Sequence, residues 1–204
     1  LLLTSCVRQK YVVMDMVHHN PGEAMTESKF LDPSFLKKNE YGAKVFFLFE
    51  AAQFGIDWKS FDPSLFPDTT EAGRWVAEKA EIIHKKYDAA KKEDLQVYCM
   101  LDMLVLPSLL VEKHRTELTN EQGKLDISKP YTQLCIRELM KEMFETFPQL
   151  DGLVIRTGET YLHDAPYYVG NHPVQNGMYD HITLINLLRE EVCERRNKKL
   201  FYRT

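Results

Sequence analysis

No apolar run in this 204-residue chain approaches the ~20 residues needed to cross a bilayer as a helix. There is no basic excess either. Lys and Arg number 26 against 30 Asp and Glu, for a formal net charge of −4, which gives no electrostatic footprint for nucleic acid. The nearest thing to a basic cluster, Arg195-Arg196-Asn197-Lys198-Lys199, follows Glu190, Glu191 and Glu194 and reads as a solvated helix end that complements the macrodipole. The four cysteines, Cys6, Cys99, Cys135 and Cys193, have neither metal-ligand spacing nor the density of a disulfide scaffold. No Gly-rich phosphate loop follows the first apolar run, because His18-His19-Asn20-Pro21-Gly22 has the wrong spacing for a dinucleotide fingerprint. A solenoid repeat, a His-x-His pair and a Ser-His-Asp or Cys-His-Asn nucleophile context are also missing. The expectation is a protein without a cofactor, without a metal and without a nucleic-acid partner.

What the chain does have is one junction used four times. Val12–Val17 runs into His18, His19 and Asn20; Val45–Phe49 runs into Glu50; Val97–Leu101 runs into Asp102. Leu153-Val154-Ile155 runs into Arg156, Thr157, Gly158, Glu159 and Tyr161. Short apolar runs of this kind predict buried strands. Polar groups at the carboxyl ends of parallel strands are where α/β barrels and open α/β sheets keep their chemistry.

Helix signals lie between the runs. Asp32 is a good N-cap and Pro33 suits the first helical position, which predicts a short helix to Lys38. Thr70 opens a long helix to about Lys92, with Trp75, Val76, Ala80, Ile83 and Tyr87 on one face. A third helix starts near Ser128 and stops at Phe147-Pro148, and a fourth spans Tyr179–Arg196. Strand starts fall near residues 11, 44, 95, 152 and 198. Alternation of this kind demands a parallel sheet with crossovers.

A doubly wound sheet and a barrel both fit. A doubly wound sheet concentrates its site at one switch point, whereas here nearly every strand end is polar, which favours the barrel. A barrel takes roughly 250 residues. The expected fold class is therefore α/β, as the N-terminal part, about five βα units, of a (β/α)8 TIM-type barrel over residues 7–204. Strand order should be sequential, and the interior positions Val13, Phe47, Tyr98 and Val154 should be buried.

Glu159 is the leading candidate for catalysis. A carboxyl that donates a proton near neutral pH needs a raised pKa, and a nearby cation lowers it. Contact between Arg156 and Glu159 would thus mark a binding or structural pair, and separation by substrate would mark an acid. Adjacent strand residues point oppositely, so one of His18 and His19 faces the mouth. Glu50 and Asp102 either cap loops or meet substrate. With Glu159 they offer paired carboxylates for glycoside chemistry. A metal would need more ligands, and His163, Asp164 and His172 could join, but their spacing fits no known metal signature. Tyr161, Tyr167, Tyr168, Phe54, Trp58 and Phe61 lie on expected strand-end loops, where rings stack on sugar faces or simply pack the loops.

The first residues, Leu1-Leu2-Leu3-Thr4-Ser5-Cys6, give way abruptly to Val7-Arg8-Gln9-Lys10. An apolar run, small residues and then Cys resembles the lipobox of a bacterial lipoprotein signal peptide. It implies export and a lipid anchor at Cys6 on a bacterial cell-envelope membrane, with residues 1–6 as the remnant of that peptide. Tyr11–Gly22, Phe147–Tyr161 and Leu162–Tyr167 resemble the first half of a poorly characterised family of glycoside-hydrolase-like (β/α)8 lipoproteins from glycan-degrading bacteria. More distantly, a Glu at the end of strand four is similar to retaining glycosidases of the large (β/α)8 clan, where that Glu is the acid/base and a strand-seven Glu the nucleophile. The Asn usual before that Glu is Gly158 here. The resemblance implies a carbohydrate substrate. Glu159 would be the acid/base. His18, His19, Asn20, Glu50, Asp102, Arg156, Tyr161, His163 and Asp164 would bind sugar. Arg156 hints at an acidic sugar, since guanidinium suits carboxylates. The alternatives are a non-catalytic glycan-binding lipoprotein and a metal-dependent hydrolase.

Overall fold

The computed structural model describes residues 14–15, 29–47, 50–158, 160–162 and 164–203. Cys6, Val13, His18, His19, Asn20, Glu159 and His163 lie outside the described residues.

The strands, in chain order, are β1 (Met14–Asp15), β2 (Ala43–Phe46), β3 (Gln96–Asp102), β4 (Val105–Pro107), β5 (Leu150–Arg156), β6 (Tyr168–Gly170) and β7 (Lys199–Arg203). The helices are α1 (Pro33–Lys38), α2 (Glu71–Lys92), α3 (Ser108–Lys113), α4 (Arg115–Leu118), α5 (Pro130–Thr146) and α6 (Met178–Leu188). One π-helical turn, Arg189–Glu194, extends α6. Five strands form a parallel sheet in the order β1-β2-β3-β5-β7. The fold is thus α/β with a parallel, sequentially ordered sheet. β4 and β6 form a separate antiparallel ribbon.

Local chemistry sets the helix starts. Asp32 caps α1 by accepting from the Ser34 N–H at 2.9 Å, and Pro33 occupies the first turn, where its missing N–H costs nothing. Thr70 caps α2 by accepting from the Gly73 N–H at 3.0 Å. α2 then sends Val76, Ile83, Tyr87 and Ala90 into the core. Each large apolar side chain buried this way is worth about 1.5–3 kcal/mol. Cys99, expected as a small core residue, is fully buried, and burial pushes its thiol up to about 12. The basic cluster closes on acids of the same element: Arg195 reaches Glu190 at 2.7 Å and Arg196 reaches Glu191 at 2.9 Å.

The two faces of the sheet differ. Buried side chains of all six helices join one large cluster with Phe46, Val97, Cys99, Leu101, Leu153 and Ile155. The opposite face carries a smaller cluster of Ala43, Val45, Phe47, Tyr98, Met100 and Val154, with Tyr161 packed against it. None of the described helices contributes to this second cluster. Phe47, Tyr98 and Val154 are buried there, as expected for interior positions.

Of the two roles expected for the loop aromatics, stacking on sugar or packing the loops, Phe54, Trp58 and Tyr168 take the second. Phe54, Trp58 and Tyr168 are buried. Phe54 and Tyr168 meet edge to face at 5.0 Å, and Phe66 lies 5.7 Å from Tyr168. These rings pack the helix side of the sheet, because burying a ring removes 150–250 Å² from water.

Candidate functional site

On the helix-free face, β3 and β5 lie in a register that pairs Tyr98 with Gly152, Met100 with Val154 and Asp102 with Arg156. Opposed residues of neighbouring strands share a face, so the apolar floor ends in a carboxylate and a guanidinium side by side. A register shift between Val97 and Tyr98 sets this alignment. Asp151 seals the shift by accepting from the Val97 N–H at 2.7 Å and from Lys91 Nζ at 2.5 Å.

Arg156 donates to Asp102 through Nε at 2.6 Å and Nη2 at 2.7 Å, the bidentate fork that suits these groups. The side chains are only 7% and 5% exposed. Asp102 also accepts from the Tyr161 N–H at 2.9 Å. The guanidinium carbon lies 4.5 Å from the Phe47 ring centre and 4.7 Å from that of Tyr161. Tyr161 is therefore held twice, by its backbone on Asp102 and by its ring on Arg156.

The polar ring continues beyond that pair. Thr157 is buried and its hydroxyl reaches the Arg203 carbonyl at 3.5 Å. Arg203 is the register neighbour of Arg156 on β7, and its side chain is exposed. The Thr160 hydroxyl is buried with no hydrogen-bond partner among the described residues, an arrangement that costs about 1–3 kcal/mol unless another group, a ligand or water satisfies it. Gly158 stands in open space among the described residues, since a Cβ there would meet none of them within 4 Å. It is exposed, so backbone at that position is accessible.

The other expected site residues fall elsewhere. Glu50 is not brought to this face. Its carboxylate pairs with Lys86 of α2 and its carbonyl accepts from the Tyr87 hydroxyl at 2.9 Å. Asp164 is exposed on the following turn. His172 accepts from the Val174 N–H at 2.9 Å within its own turn. Glu159, His163, His18, His19 and Asn20 lie outside the described residues. Among the described residues, no three His, Cys, Asp or Glu side chains gather as a metal site, and no helix is long and apolar enough to cross a membrane.

The β4–β6 ribbon was not anticipated from sequence. Asn171 ties it down, exchanging backbone bonds with Leu104 at 2.8 and 3.0 Å. Its side chain accepts from the Leu125 N–H at 2.7 Å and donates to the Leu125 carbonyl at 3.1 Å.

No family model matches the chain, and no curated protein matches it. The resemblance to the lipoprotein family thus rests on the sequence motifs alone. Among solved structures, the chain is similar to a noncanonic maltogenic α-amylase, AmyB, from Thermotoga neapolitana, with 13% identity and a TM-score of 0.49. The match covers 85% of this chain and 40% of that one. The chain spans about two fifths of that protein's length.

Proposed function

We propose that the protein is glycoside-hydrolase-like and acts on a polysaccharide or oligosaccharide fragment, using the strand ends of the helix-free face. The observation that carries this reading is the cluster Asp102–Arg156–Tyr161, set at the carboxyl ends of parallel strands above an apolar floor. That is where barrel enzymes hold their substrates. A flat ring beside a fixed polar pair offers the mixed surface that sugar rings need.

The barrel itself is part of the proposal. It is supported by sequential strand order and by described helices that all pack on one face, since a doubly wound sheet places helices on both. The exposed side chains Met178, Tyr179, Ile182 and Phe201 on α6 and β7 leave apolar surface for further elements of such a barrel.

In this reading Glu159 is the acid/base. It follows Gly158 directly in the sequence, two residues before Tyr161. Tyr161 contacts the sugar, with His18, His19, Asn20, His163 and Asp164 as further contributors. Glu50, engaged by Lys86, leaves the set. Asp102 and Arg156 serve as the scaffold under the site. A preference for an acidic sugar would then rest on Arg203, because the Nε–Nη2 edge of Arg156 is taken by Asp102.

The experiment is Glu159→Gln assayed on neutral and uronic-acid glycosides. Turnover of unactivated glycosides should drop roughly 10²–10⁴-fold, with much less effect on substrates bearing a good leaving group. Unchanged turnover refutes the acid/base role. Glycan binding without any turnover in the wild type supports the second reading, a non-catalytic glycan-binding protein. One observation favours that reading: Asp102, the carboxylate that the described residues bring to this face, is already committed to Arg156 and Tyr161.

Export and lipid anchoring through Cys6 belong to the same proposal. Cys6→Ser should move the protein from the membrane fraction to the soluble one, and unaltered fractionation would remove the anchor from it.

A further inference from the structure

Away from the strand ends, the segment before α2, the first turns of α3 and Pro166-Tyr167 enclose a cleft of about 340 Å³. That size lies at the low end for ligand sites, roughly 300–1,000 Å³, and suits one or two rings. Phe66, Pro67, Leu109 and Tyr167 supply its walls. The Tyr167 ring is fixed by edge-to-face contact with Trp75, at 5.7 Å and 72°.

Most of its polar lining is already spent. The Thr70 hydroxyl donates to the Pro67 carbonyl at 2.7 Å and accepts from the Gly73 N–H at 3.0 Å. The Ser64 hydroxyl donates to Asp62 at 2.6 Å and meets Lys113. Of the neighbouring cations, one is neutralised by a carboxylate and the other is turned to a backbone carbonyl. Lys113 pairs with Asp62 at 2.8 Å, and Arg74 donates to the Thr69 carbonyl at 2.8 Å. Glu112 remains on the wall, exposed, with no ion pair among the described residues. A single unmatched carboxylate beside an apolar slot complements a cation carried on an apolar body. It does not suit an anion, and a sugar would find few free hydrogen-bonding groups.

We propose that this cleft is a second binding site, for a ligand that joins a flat apolar body to a protonated amine. The body lies against Tyr167, Phe66 and Leu109, and the ammonium meets the Glu112 carboxylate. The site shares no lining residue with the apolar floor of the strand-end face and does not depend on the function proposed there.

The test titrates the protein with tryptamine, with tryptophol, in which a hydroxyl replaces the ammonium, and with indole-3-acetate, which carries the opposite charge. Binding is followed by backbone amide shifts. Tryptamine should saturate with shifts confined to residues 64–72, 108–112 and 166–167. Tryptophol should bind roughly fivefold more weakly, the worth of one exposed ion pair, and indole-3-acetate more weakly still. Glu112→Gln should bring tryptamine down to the affinity of tryptophol and leave tryptophol unchanged. Leu109→Trp, which fills the cleft, should abolish both. Equal affinity for the three probes, indifference to Glu112→Gln, shifts mapping elsewhere or no saturable binding would each overturn the proposal. So would a preference of this cleft for maltose over tryptamine.

Discussion

Removing the Asp102 carboxylate tests how the strand-end cluster is held. Asp102→Ala deletes three hydrogen bonds, from Arg156 Nε at 2.6 Å, Arg156 Nη2 at 2.7 Å and the Tyr161 N–H at 2.9 Å. The pair is almost fully buried, at 5% and 7% side-chain exposure, so water cannot simply replace the lost carboxylate. Breaking such a pair from one side costs about 3–5 kcal/mol, because the remaining charge keeps its desolvation penalty. The Phe47 and Tyr161 rings touch the guanidinium before and after the change, so they offset little of that loss. We expect Asp102→Ala to cost about 4 kcal/mol. Arg156→Met should cost about 3 kcal/mol, since Asp102 keeps its bond from the Tyr161 N–H. The double variant Asp102→Leu with Arg156→Met removes both charges and leaves chiefly the Tyr161 N–H without its acceptor, about 1–2 kcal/mol. The singles therefore sum to about 7 kcal/mol while the double costs far less, a coupling of about 5 kcal/mol. Against the 5–15 kcal/mol typical of a domain, each variant should still show a measurable urea transition by circular dichroism. Additive losses, or a single-variant cost below about 1 kcal/mol, would refute the view of Asp102–Arg156 as a buried strut.

Gly152 faces a different constraint: a Cβ there would lie 2.1 Å from the Lys199 carbonyl oxygen. Gly152→Ala should push β5 from β7 and cost about 2–3 kcal/mol, with faster amide exchange in β7. Gly158→Ala, placed in open space, should stay within about 0.5 kcal/mol, and equal effects of the two changes would contradict this packing. Asp62 is held down to about 2 by its hydrogen bond from Lys113 and then by Ser64. A depressed carboxyl contributes stability above its unfolded value, near 3.8, and loses it as pH falls through about 2. The stability gap between wild type and Lys113→Met, under about 1 kcal/mol at neutral pH, should therefore close between pH 5 and 2; a gap that widens on acidification would reverse the assigned sign.

Local rules reached far into this fold because they act within a few residues. Asp32-Pro33 and Thr70 placed the starts of α1 and α2, and apolar spacing at three and four residues placed the buried face of α2 on Val76, Ile83 and Tyr87. Alternation along β3 and β5 put Tyr98, Met100 and Asp102 on one parity, and Gly152, Val154 and Arg156 on another shared parity. The convergence of Asp102 with Arg156 was therefore half legible. Which residue of one strand stands opposite which residue of the other depends on the register, and the shift at Val97/Tyr98 moves that register by a residue. A one-residue slip would have turned Arg156 toward the helices.

The rest was decided by contacts between residues far apart in the chain. Glu50 ends an apolar run like the other candidates, yet Lys86, 36 residues later, takes its carboxylate. Trp58 and Phe54 sit among turn-forming residues, and only the three-dimensional approach of Tyr168 and the helices draws them into the core. The β4–β6 ribbon pairs two strands of three residues each. Segments that short carry no readable periodicity, so their pairing exists only once the loops around Asn171 have closed. The sequence by itself determined the strand and helix alternation and the polar strand ends. The tertiary structure decided which of those polar groups meet, because a carboxylate's fate is set by the cation that the fold brings beside it and not by its place in the chain.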